Sequence, residues 1–266
     1  MADFNRDGTP DLFFIKRRNT GTNTIEIHVL SGRSNFQQFL LHTGTPLAQA
    51  EDRNGDFLVA DFDRDGIPDL FFIKRRNTGT NTIEVHVLSG KSNFQQFIMH
   101  TGTALAQAED LNGDYGLADF DRDGIPDLFF IKRRNTGTHS IELHILTGKS
   151  NYQQFVLHTG TPLAQAEDLN GDFLVADFDL DRIPDLYFVK RRNTGTNTIE
   201  VHILSGRTQY QQFAQHTGTA LAQAEDANGS FQIADFDRDR IPDLFFIKRR
   251  NTGTNSIEVH ILAEKP

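Results

Sequence analysis

Apolar and polar residues alternate along the chain in short runs, and no stretch shows a sustained helical period. Runs rich in Phe, Ile, Val and Thr are separated by Gly, Asn, Asp and Pro, a pattern typical of short strands joined by turns. Around the second Ala-Asp-Phe motif, the pattern predicts strands A to D in order: Phe57–Phe62, Asp69–Arg75, Thr82–Leu88 and Phe94–Thr101.

The same pattern recurs along the whole chain. Ala-Asp-Phe begins at Ala2, Ala60, Ala118, Ala176 and Ala234, each 58 residues after the last. Four antiparallel strands at this period are typical of a propeller blade, since solenoid repeats are shorter or helical. We predict an all-β fold: a single β-propeller domain, 1–266, of about five four-stranded blades. The repeats are 2–59, 60–117, 118–175, 176–233 and a partial 234–266.

The two ends of the repeat pattern differ. The first repeat begins with a short piece of strand A, Ala2–Phe4, and the last reaches only strand C, which ends at Leu262. The last blade is therefore expected to lack its outermost strand. An unpaired strand exposes backbone donors and acceptors, which proteins normally cover. We expect another chain to cover Ser256–Leu262, giving a homo-oligomer.

Composition narrows the classes of partner. The chain has 37% hydrophobic residues and a net charge of −9, which suits a soluble globular protein and argues against nucleic-acid binding. Because it has no Cys, disulfides, thiolate metal sites and cysteine nucleophiles are excluded. No apolar run is long enough to insert in a membrane, and the polar start predicts no signal peptide. The compartment stays open: cytoplasmic or unconventionally secreted.

Acidic loops separate the first two strands of each repeat. In the second repeat, Asp61, Asp63, Asp65 and Asp69 place oxygens at loop positions one, three, five and nine, with Gly66 at the turn. A hard cation such as Ca²⁺ takes about six to eight oxygens, and alternating carboxylates on a tight turn converge. We predict structural Ca²⁺ in the first three repeats. The alternative is an Asp-rich turn that caps its own backbone. The predicted ligands are Asp3, Asn5, Asp7, Asp11, Asp61, Asp63, Asp65, Asp69, Asp119, Asp121, Asp123 and Asp127.

The last two repeats change this loop. Arg182 and Arg240 replace the Gly, and a bulky residue there disfavours the turn. Calcium is therefore predicted less strongly in these two loops.

Strand C carries a repeated Glu and His two residues apart, which share one face of the sheet. Strand B supplies Arg18, and the Thr-rich loop after it, with the run His42–Thr45 after strand D, adds short hydrogen-bonding side chains. Such convergent donors and acceptors suit sugar hydroxyls and acetamido groups. Repeated inter-blade ion pairs and plain hairpin loops are the alternatives. The candidate ligand-binding residues are Glu26, His28, Arg18, Asn19, Glu84, His86, Arg76, Asn77, Glu142, His144, Arg134, Asn135, Glu200, His202, Arg192, Asn193, Glu258 and His260.

The second repeat contains, in order, Asp-Gly-Ile-Pro-Asp-Leu-Phe-Phe-Ile-Lys, Asn-Thr-Gly-Thr, Ile-Glu-Val-His-Val-Leu-Ser-Gly, Asn-Phe-Gln-Gln-Phe and His-Thr-Gly-Thr. Its acidic loop resembles those of integrin alpha-chain propellers and FG-GAP repeats, where the ion is structural. The whole series resembles the blade of the Psathyrella velutina lectin family of mushrooms, which has six or seven units. That resemblance implies a calcium-containing propeller with glycan pockets between blades, selective for terminal N-acetylglucosamine and, in some members, sialic acid.

Repetition also bears on function. Five near-equivalent copies argue against an enzyme, because catalysis normally needs one asymmetric constellation. Several weak, equivalent sites instead raise the apparent affinity for clustered ligands. We therefore expect a multivalent, non-catalytic lectin with about four sites per chain. The alternative is a protein-binding or structural scaffold.

Overall fold

Short antiparallel strands form nearly all of the regular structure. The computed structural model describes residues 1–49, 54–107, 112–165, 170–223 and 228–263. Within these ranges the only helices are single 3-10 turns at Gly32–Ser34, Gly148–Ser150 and Gly206–Thr208. None is long and apolar enough to cross a membrane.

The strands fall into five sheets, one for each repeat, with neighbours in chain order. Blade one contains β1 (Leu12–Lys16), β2 (Thr24–Leu30) and β3 (Phe39–Ala48). Blade two contains β4 (Gly55–Ala60), β5 (Asp69–Lys74), β6 (Thr82–Leu88) and β7 (Phe97–Ala106). Blade three contains β8 (Gly113–Ala118), β9 (Asp127–Lys132), β10 (Ser140–Leu146) and β11 (Phe155–Ala164). Blade four contains β12 (Gly171–Ala176), β13 (Asp185–Lys190), β14 (Thr198–Leu204) and β15 (Phe213–Ala222). Blade five contains β16 (Gly229–Ala234), β17 (Asp243–Lys248) and β18 (Glu258–Leu262).

The predicted fold class is confirmed: the chain is an all-β, five-bladed β-propeller with three strands in its last blade. In blade one the predicted piece of strand A is reduced to a single bridge between Ala2 and Asp11. The end of the chain matches the prediction closely, since the last strand is Glu258–Leu262 within the predicted Ser256–Leu262.

Two compact units make up the chain. The first comprises Met1–Leu111, Asp121–Leu128 and Leu146–Val156, and the second comprises Asn112–Phe120, Phe129–Ile145 and Leu157–Pro266. Alternate residues of the strands build the core of each unit. In the first, Ile25, Ile27 and Val29 of β2 are buried with Leu70 and Phe94. In the second, Phe129, Ile131 and Leu143 belong to one cluster and Val189 and Ile203 to another. The single domain stays a prediction.

Three of the four strand boundaries predicted for blade two shift in the structure. Strand A is Gly55–Ala60 rather than Phe57–Phe62, and strand B ends at Lys74 rather than Arg75. Strand C is Thr82–Leu88 as predicted. Strand D is Phe97–Ala106 rather than Phe94–Thr101. It starts later because Asn93 and Phe94 have φ of 54° and 62°, which is turn geometry.

Strand D also ends later than predicted, at Ala106 rather than Thr101, which places a run predicted as a loop inside the sheet. The run His42–Thr45, expected after strand D, lies inside β3, with His42 paired to His28 and Gly44 to Glu26. The run therefore lies directly beside the Glu and His of strand C.

The turn between strands C and D, here called the C–D turn, is joined to the acidic loop. Gly90 donates its N–H to Asp69 Oδ1 at 2.8 Å. A Cβ on Gly90 would lie 2.2 Å from the carbonyl oxygen of Pro68, so only glycine fits. The last Asp of the loop thus fixes the C–D turn of its own blade.

Candidate functional site

Each acidic loop is a tight turn whose carboxylates accept backbone N–H groups. In blade two, Asp61 Oδ2 accepts from Gly66 at 2.9 Å, and Asp65 Oδ1 accepts from Ile67 at 2.9 Å. Asp69 is buried and its two oxygens accept from Phe62 and Gly90, both at 2.8 Å. Burial raises the pKa of Asp69 to about 6, although these hydrogen bonds oppose the shift. Keeping the buried carboxylates of the loop ionised therefore costs free energy.

The same loop offers free oxygens at its centre. One carboxylate oxygen each of Asp61, Asp63 and Asp69 lies within 4.8 Å of the other two. Asp61 Oδ1 and Asp65 Oδ2 are buried and accept no hydrogen bond. A cation would satisfy these oxygens, so the residues present fit a hard metal ion. The four predicted ligand positions are thus brought to one turn.

The loops of blades four and five keep this turn without Gly. Arg182 and Arg240 have φ of 70° and 79°, close to the 83° of Gly66. Their backbone N–H groups reach Asp177 Oδ2 at 2.9 Å and Asp235 Oδ2 at 3.1 Å. Both arginine side chains are exposed. The substitution therefore retains the turn in a strained backbone conformation rather than abolishing it.

A second cluster of ionisable side chains, one Glu and two His, lies on the face of the sheet. In blade two, Glu84 is buried, and its Oε1 accepts the N–H of Thr80 at 3.0 Å. Its Oε2 lies 3.4 Å from Nε2 of His86 and 3.6 Å from Nε2 of His100. The two imidazole rings stack at 4.1 Å. We call this group the Glu–His–His cluster. Its members are Glu26, His28, His42; Glu84, His86, His100; Glu142, His144, His158; and Glu200, His202, His216.

Sequence reasoning found two members of each cluster and missed the third. The second His comes from strand D, where it pairs directly with the first His in the sheet register, as His86 does with His100. The predicted strand D already contained this His, but the sequence does not give the register that places it opposite the first His. Blade five has Glu258 and His260 at 3.5 Å, and its residues 228–263 contain no second His in this position.

The two histidines of a cluster differ in exposure. The side chain of His86 is 11% exposed and that of His100 is 58% exposed. Burial, with repulsion from His100, lowers the pKa of His86 to about 4, although Glu84 opposes the shift. Burial alone would raise the pKa of Glu84, but hydrogen bonds from the backbone and hydroxyl of Thr80 leave it below its ordinary value. At neutral pH the cluster therefore holds a carboxylate beside neutral imidazole.

The predicted Arg and Asn contacts occupy the loop after strand B. Asn19, Asn77, Asn135, Asn193 and Asn251 all have φ of 53° and are exposed. This left-handed conformation favours Asn, which gives the residue a backbone role. The N–H of Arg76 donates to Asn54 Oδ1 at 2.9 Å. Whether Arg18, Asn19 and their counterparts contact a ligand stays a prediction.

Arg17, Arg133 and Arg191, middle residues of Lys-Arg-Arg triplets, have a structural role that the sequence did not predict. Arg191 is buried and bonds Asp172 Oδ2 at 2.6 Å and Gly229 O at 2.9 Å. Its guanidinium lies 4.8 Å from the ring centre of Phe231. Because Phe231 and Gly229 belong to the next blade, this arginine ties blade four to blade five. The ion pair of Arg191 with Asp172 lies within blade four, so the repeated inter-blade ion pairs suggested by the sequence stay a prediction.

The C–D turn supplies a second tie, this time to the preceding blade. Tyr210 of blade four is fully buried with Phe120 and Phe129 of blade three, and its hydroxyl donates to Pro184 O at 2.8 Å. The side-chain amide of Gln211 donates to Gly160 O at 2.7 Å and Thr159 Oγ1 at 3.1 Å. In the first unit, Phe94 and Tyr152 are likewise fully buried, and the amides of Gln95 and Gln153 donate to Gly44 O and Gly102 O. Tyr152 also donates its hydroxyl to Pro126 O at 3.0 Å, whereas Phe94 has no hydroxyl.

Between blades four and five the corresponding position is an open groove of about 220 Å³. We call it the inter-blade groove. It is lined by Tyr187, Val201, Gln215, Thr217, Gly218, Thr219, Ile233, Pro242, Leu244, Leu262 and Ala263. Thr217 and Gly218 are the repeat equivalents of Thr159 and Gly160. The groove is therefore lined by the residues whose equivalents bind a glutamine amide one blade earlier.

The acidic loops and the strand that follows them carry the family likeness. The model of the FG-GAP-like repeat matches residues 3–72, 61–130 and 119–188. Each match runs from one acidic loop through the next loop to strand B of the following blade. The chain belongs to the FG-GAP-like repeat family. No curated protein matches the chain. FG-GAP-like repeats on a five-bladed propeller are consistent with a binding or scaffold role.

Proposed function

We propose that this FG-GAP-like propeller is a non-catalytic lectin that binds a terminal N-acetylglucosamine residue in the inter-blade groove. The observation that carries the proposal is that Thr217 and Gly218, which carry the acceptors Oγ1 and O, line the groove. Their equivalents one blade earlier accept the amide of Gln211 at 3.1 and 2.7 Å. The acetamido N–H of the sugar is the same kind of donor.

The rest of the groove suits the remainder of that sugar. Val201, Ile233 and Leu244 form an apolar floor for the acetamido methyl group and the apolar ring face, and Tyr187 adds one aromatic ring. The volume of about 220 Å³ lies below the roughly 300–1,000 Å³ typical of drug-sized ligands. A single small ring is therefore the expected occupant.

The groove also revises the expected number of sites. Repetition alone predicts about four sites per chain, but Phe94, Tyr152 and Tyr210 are fully buried at the equivalent positions of the earlier blades. We therefore expect one groove site per chain. Multivalent binding would then come from a homo-oligomer formed through β18, whose only partner strand in the described chain is β17.

Structural Ca²⁺ in the acidic loops of the first three blades is the second part of the proposal. Its support is the orphaned oxygens of Asp61 and Asp65 together with the convergence of Asp61, Asp63 and Asp69. The ion would hold the loop carboxylates in place and has no chemical role in sugar recognition.

Comparing two sugars tests the lectin proposal. N-acetylglucosamine should bind to the wild-type protein, whereas glucose, which lacks the acetamido group, should bind at least about tenfold more weakly because a hydrogen bond is lost. Ala263→Trp should abolish binding by filling the groove. Ala222→Trp, at an exposed position outside the groove, is the matched control. Equal binding of both sugars, or binding that survives Ala263→Trp, would contradict the proposal.

One observation favours a second function, a scaffold for protein partners. One blade earlier, a peptide turn, Gln209-Tyr210-Gln211, occupies the equivalent position. A partner protein that presents an aromatic residue followed by Gln could occupy the groove in the same way. A synthetic peptide with the sequence of residues 205–213 should then bind, and Ala263→Trp should block it, while N-acetylglucosamine does not compete.

A further inference from the structure

A set of nitrogen and oxygen ligands remains that the proposed function does not use. Each of the first four blades holds a Glu–His–His cluster in which two imidazole nitrogens face one carboxylate oxygen. We propose that each of these four clusters binds one divalent transition-metal ion of the Zn²⁺ class. The inference goes beyond sugar recognition and does not depend on it.

Distances within the clusters support the proposal. Across the four blades, Glu Oε2 lies 3.3–3.5 Å from Nε2 of the first His and 3.5–3.8 Å from Nε2 of the second. Tetrahedral Zn²⁺ with bonds of about 2.0–2.1 Å separates its ligands by about 3.3 Å. Rotation of the two rings out of their stacked arrangement would let all three atoms reach one ion.

The hydrogen bonds leave the ligand atoms ready for a metal. Nε2 of His28, His86 and His202 is buried and has no hydrogen-bond partner among the described residues. The carboxylate is held through its other oxygen, since the N–H of Thr80 donates to Glu84 Oε1 at 3.0 Å. Such an outer contact orients a metal ligand without competing for the ion.

The surroundings define the kind of site. Phe72 packs 5.6 Å from the ring of His86 on the buried side, while His100 is 58% exposed on the other. Two His, one Glu and an open side match a three-ligand Zn²⁺ site that keeps a water position. Lys74, directly opposite Glu84 in the sheet, is the nearby positive charge that a bound cation must tolerate.

Blade five serves as an internal comparison for the four clusters. Blade five repeats the Glu and the first His as Glu258 and His260, but its described residues lack the second His. The proposal therefore predicts four ions per chain rather than five. The ligand type also separates these sites from the acidic loops, whose all-oxygen donors favour Ca²⁺.

Titration with Co²⁺ and Zn²⁺ in excess Ca²⁺ tests the proposal, because Ca²⁺ saturates the oxygen sites. We expect four Co²⁺ ions per chain with the strong visible absorption of tetrahedral cobalt, displaced by Zn²⁺. Each of His42→Ala, His100→Ala, His158→Ala and His216→Ala should weaken one site by more than about 100-fold, since it removes a direct ligand. These side chains are 55–58% exposed, so the variants should fold.

The control is His139→Asn, which gives blade three the residue that the other blades have at that loop position. It should leave four sites. Stoichiometry unchanged by the four His→Ala variants, or a weak octahedral cobalt spectrum, would overturn the proposal. Sugar binding is measured in a separate experiment with Ala263→Trp. The metal proposal can therefore be judged even if the lectin proposal fails.

Discussion

The space between successive blades is filled in one part of the second unit and open in another. Between blades three and four, Tyr210 is fully buried against Phe120 and Phe129, and Gln211 bonds the backbone of β11. Between blades four and five, the same repeat positions of β15 line the inter-blade groove. Near-identical sequence thus makes a structural contact in one place and a candidate ligand site in the other.

The filled position shows which chemical groups the open groove can bind. Its acceptors and apolar floor are the ones that hold an aromatic ring and an amide one blade earlier. A ligand that combines an amide N–H with a flat apolar face reproduces that occupant. The filled position therefore serves as a template for the ligand of the open one.

The largest expected effect comes from emptying the filled position. Tyr210→Ala should lower the free energy of unfolding by about 3–5 kcal/mol, because a fully buried aromatic side chain is removed. Tyr210→Phe should cost only about 1 kcal/mol, the hydrogen bond from its hydroxyl to Pro184 O. Urea denaturation measures both. A cost below about 1 kcal/mol for Tyr210→Ala would show that the position is not a structural contact.

Calcium should give the next largest effect, because the ion would hold the acidic-loop carboxylates of the first three blades in place. At about 100 times its dissociation constant, Ca²⁺ should stabilise each site by about 2.7 kcal/mol. Thermal unfolding with and without a chelator measures the gain. Asp61→Asn, Asp3→Asn and Asp119→Asn should each reduce it. A chelator that leaves the melting temperature unchanged would contradict structural Ca²⁺.

A pH effect should follow from the buried histidines in metal-free protein. Because burial lowers the pKa of His86 and His144 to about 4, folding favours their neutral forms. Their contribution to stability is present above the unfolded pKa near 6.5 and is lost as the pH falls to about 4. The stability difference between wild type and His86→Gln should therefore shrink over that window. A constant difference would contradict it, and the comparison cancels the titration of Asp69.

The smallest effect concerns the glutamine of the C–D turn. Gln211→Ala should cost about 0.5–1 kcal/mol, because the amide bonds Gly160 O and Thr159 Oγ1 across two blades. Gln37→Ala is the matched control, since among the described residues the amide of Gln37 donates within its own turn, to Asn35 O at 3.2 Å. Equal costs for the two variants would show that the cross-blade bond contributes nothing.

The repeat predicted most of the fold because periodicity and strand pattern are local signals. Strand C was placed correctly at Thr82–Leu88, since it alternates without interruption. Strand D was placed too early because Phe94 reads as a strand residue, although its φ of 62° puts it in a turn. Phe94 adopts this turn conformation because its ring is buried against strands of the preceding blade. Such a tertiary contact leaves no signal in the local sequence.

The candidate sites also differ in how far the local sequence predicts them. The acidic loops were predictable because their ligands lie within nine residues of one another. The second His of each Glu–His–His cluster was not, because the pairing of His86 with His100 depends on sheet register. The inter-blade groove was also hidden, since the acceptors at Thr217 and Gly218 are identical in sequence to those that are covered in earlier blades.

Isothermal titration of the protein with N-acetylglucosamine in Ca²⁺ is the decisive measurement for the groove site. We expect saturable binding with one site per chain, lost in Ala263→Trp and retained in Ala222→Trp. Binding at about four sites per chain, or no binding by correctly folded protein, would contradict it.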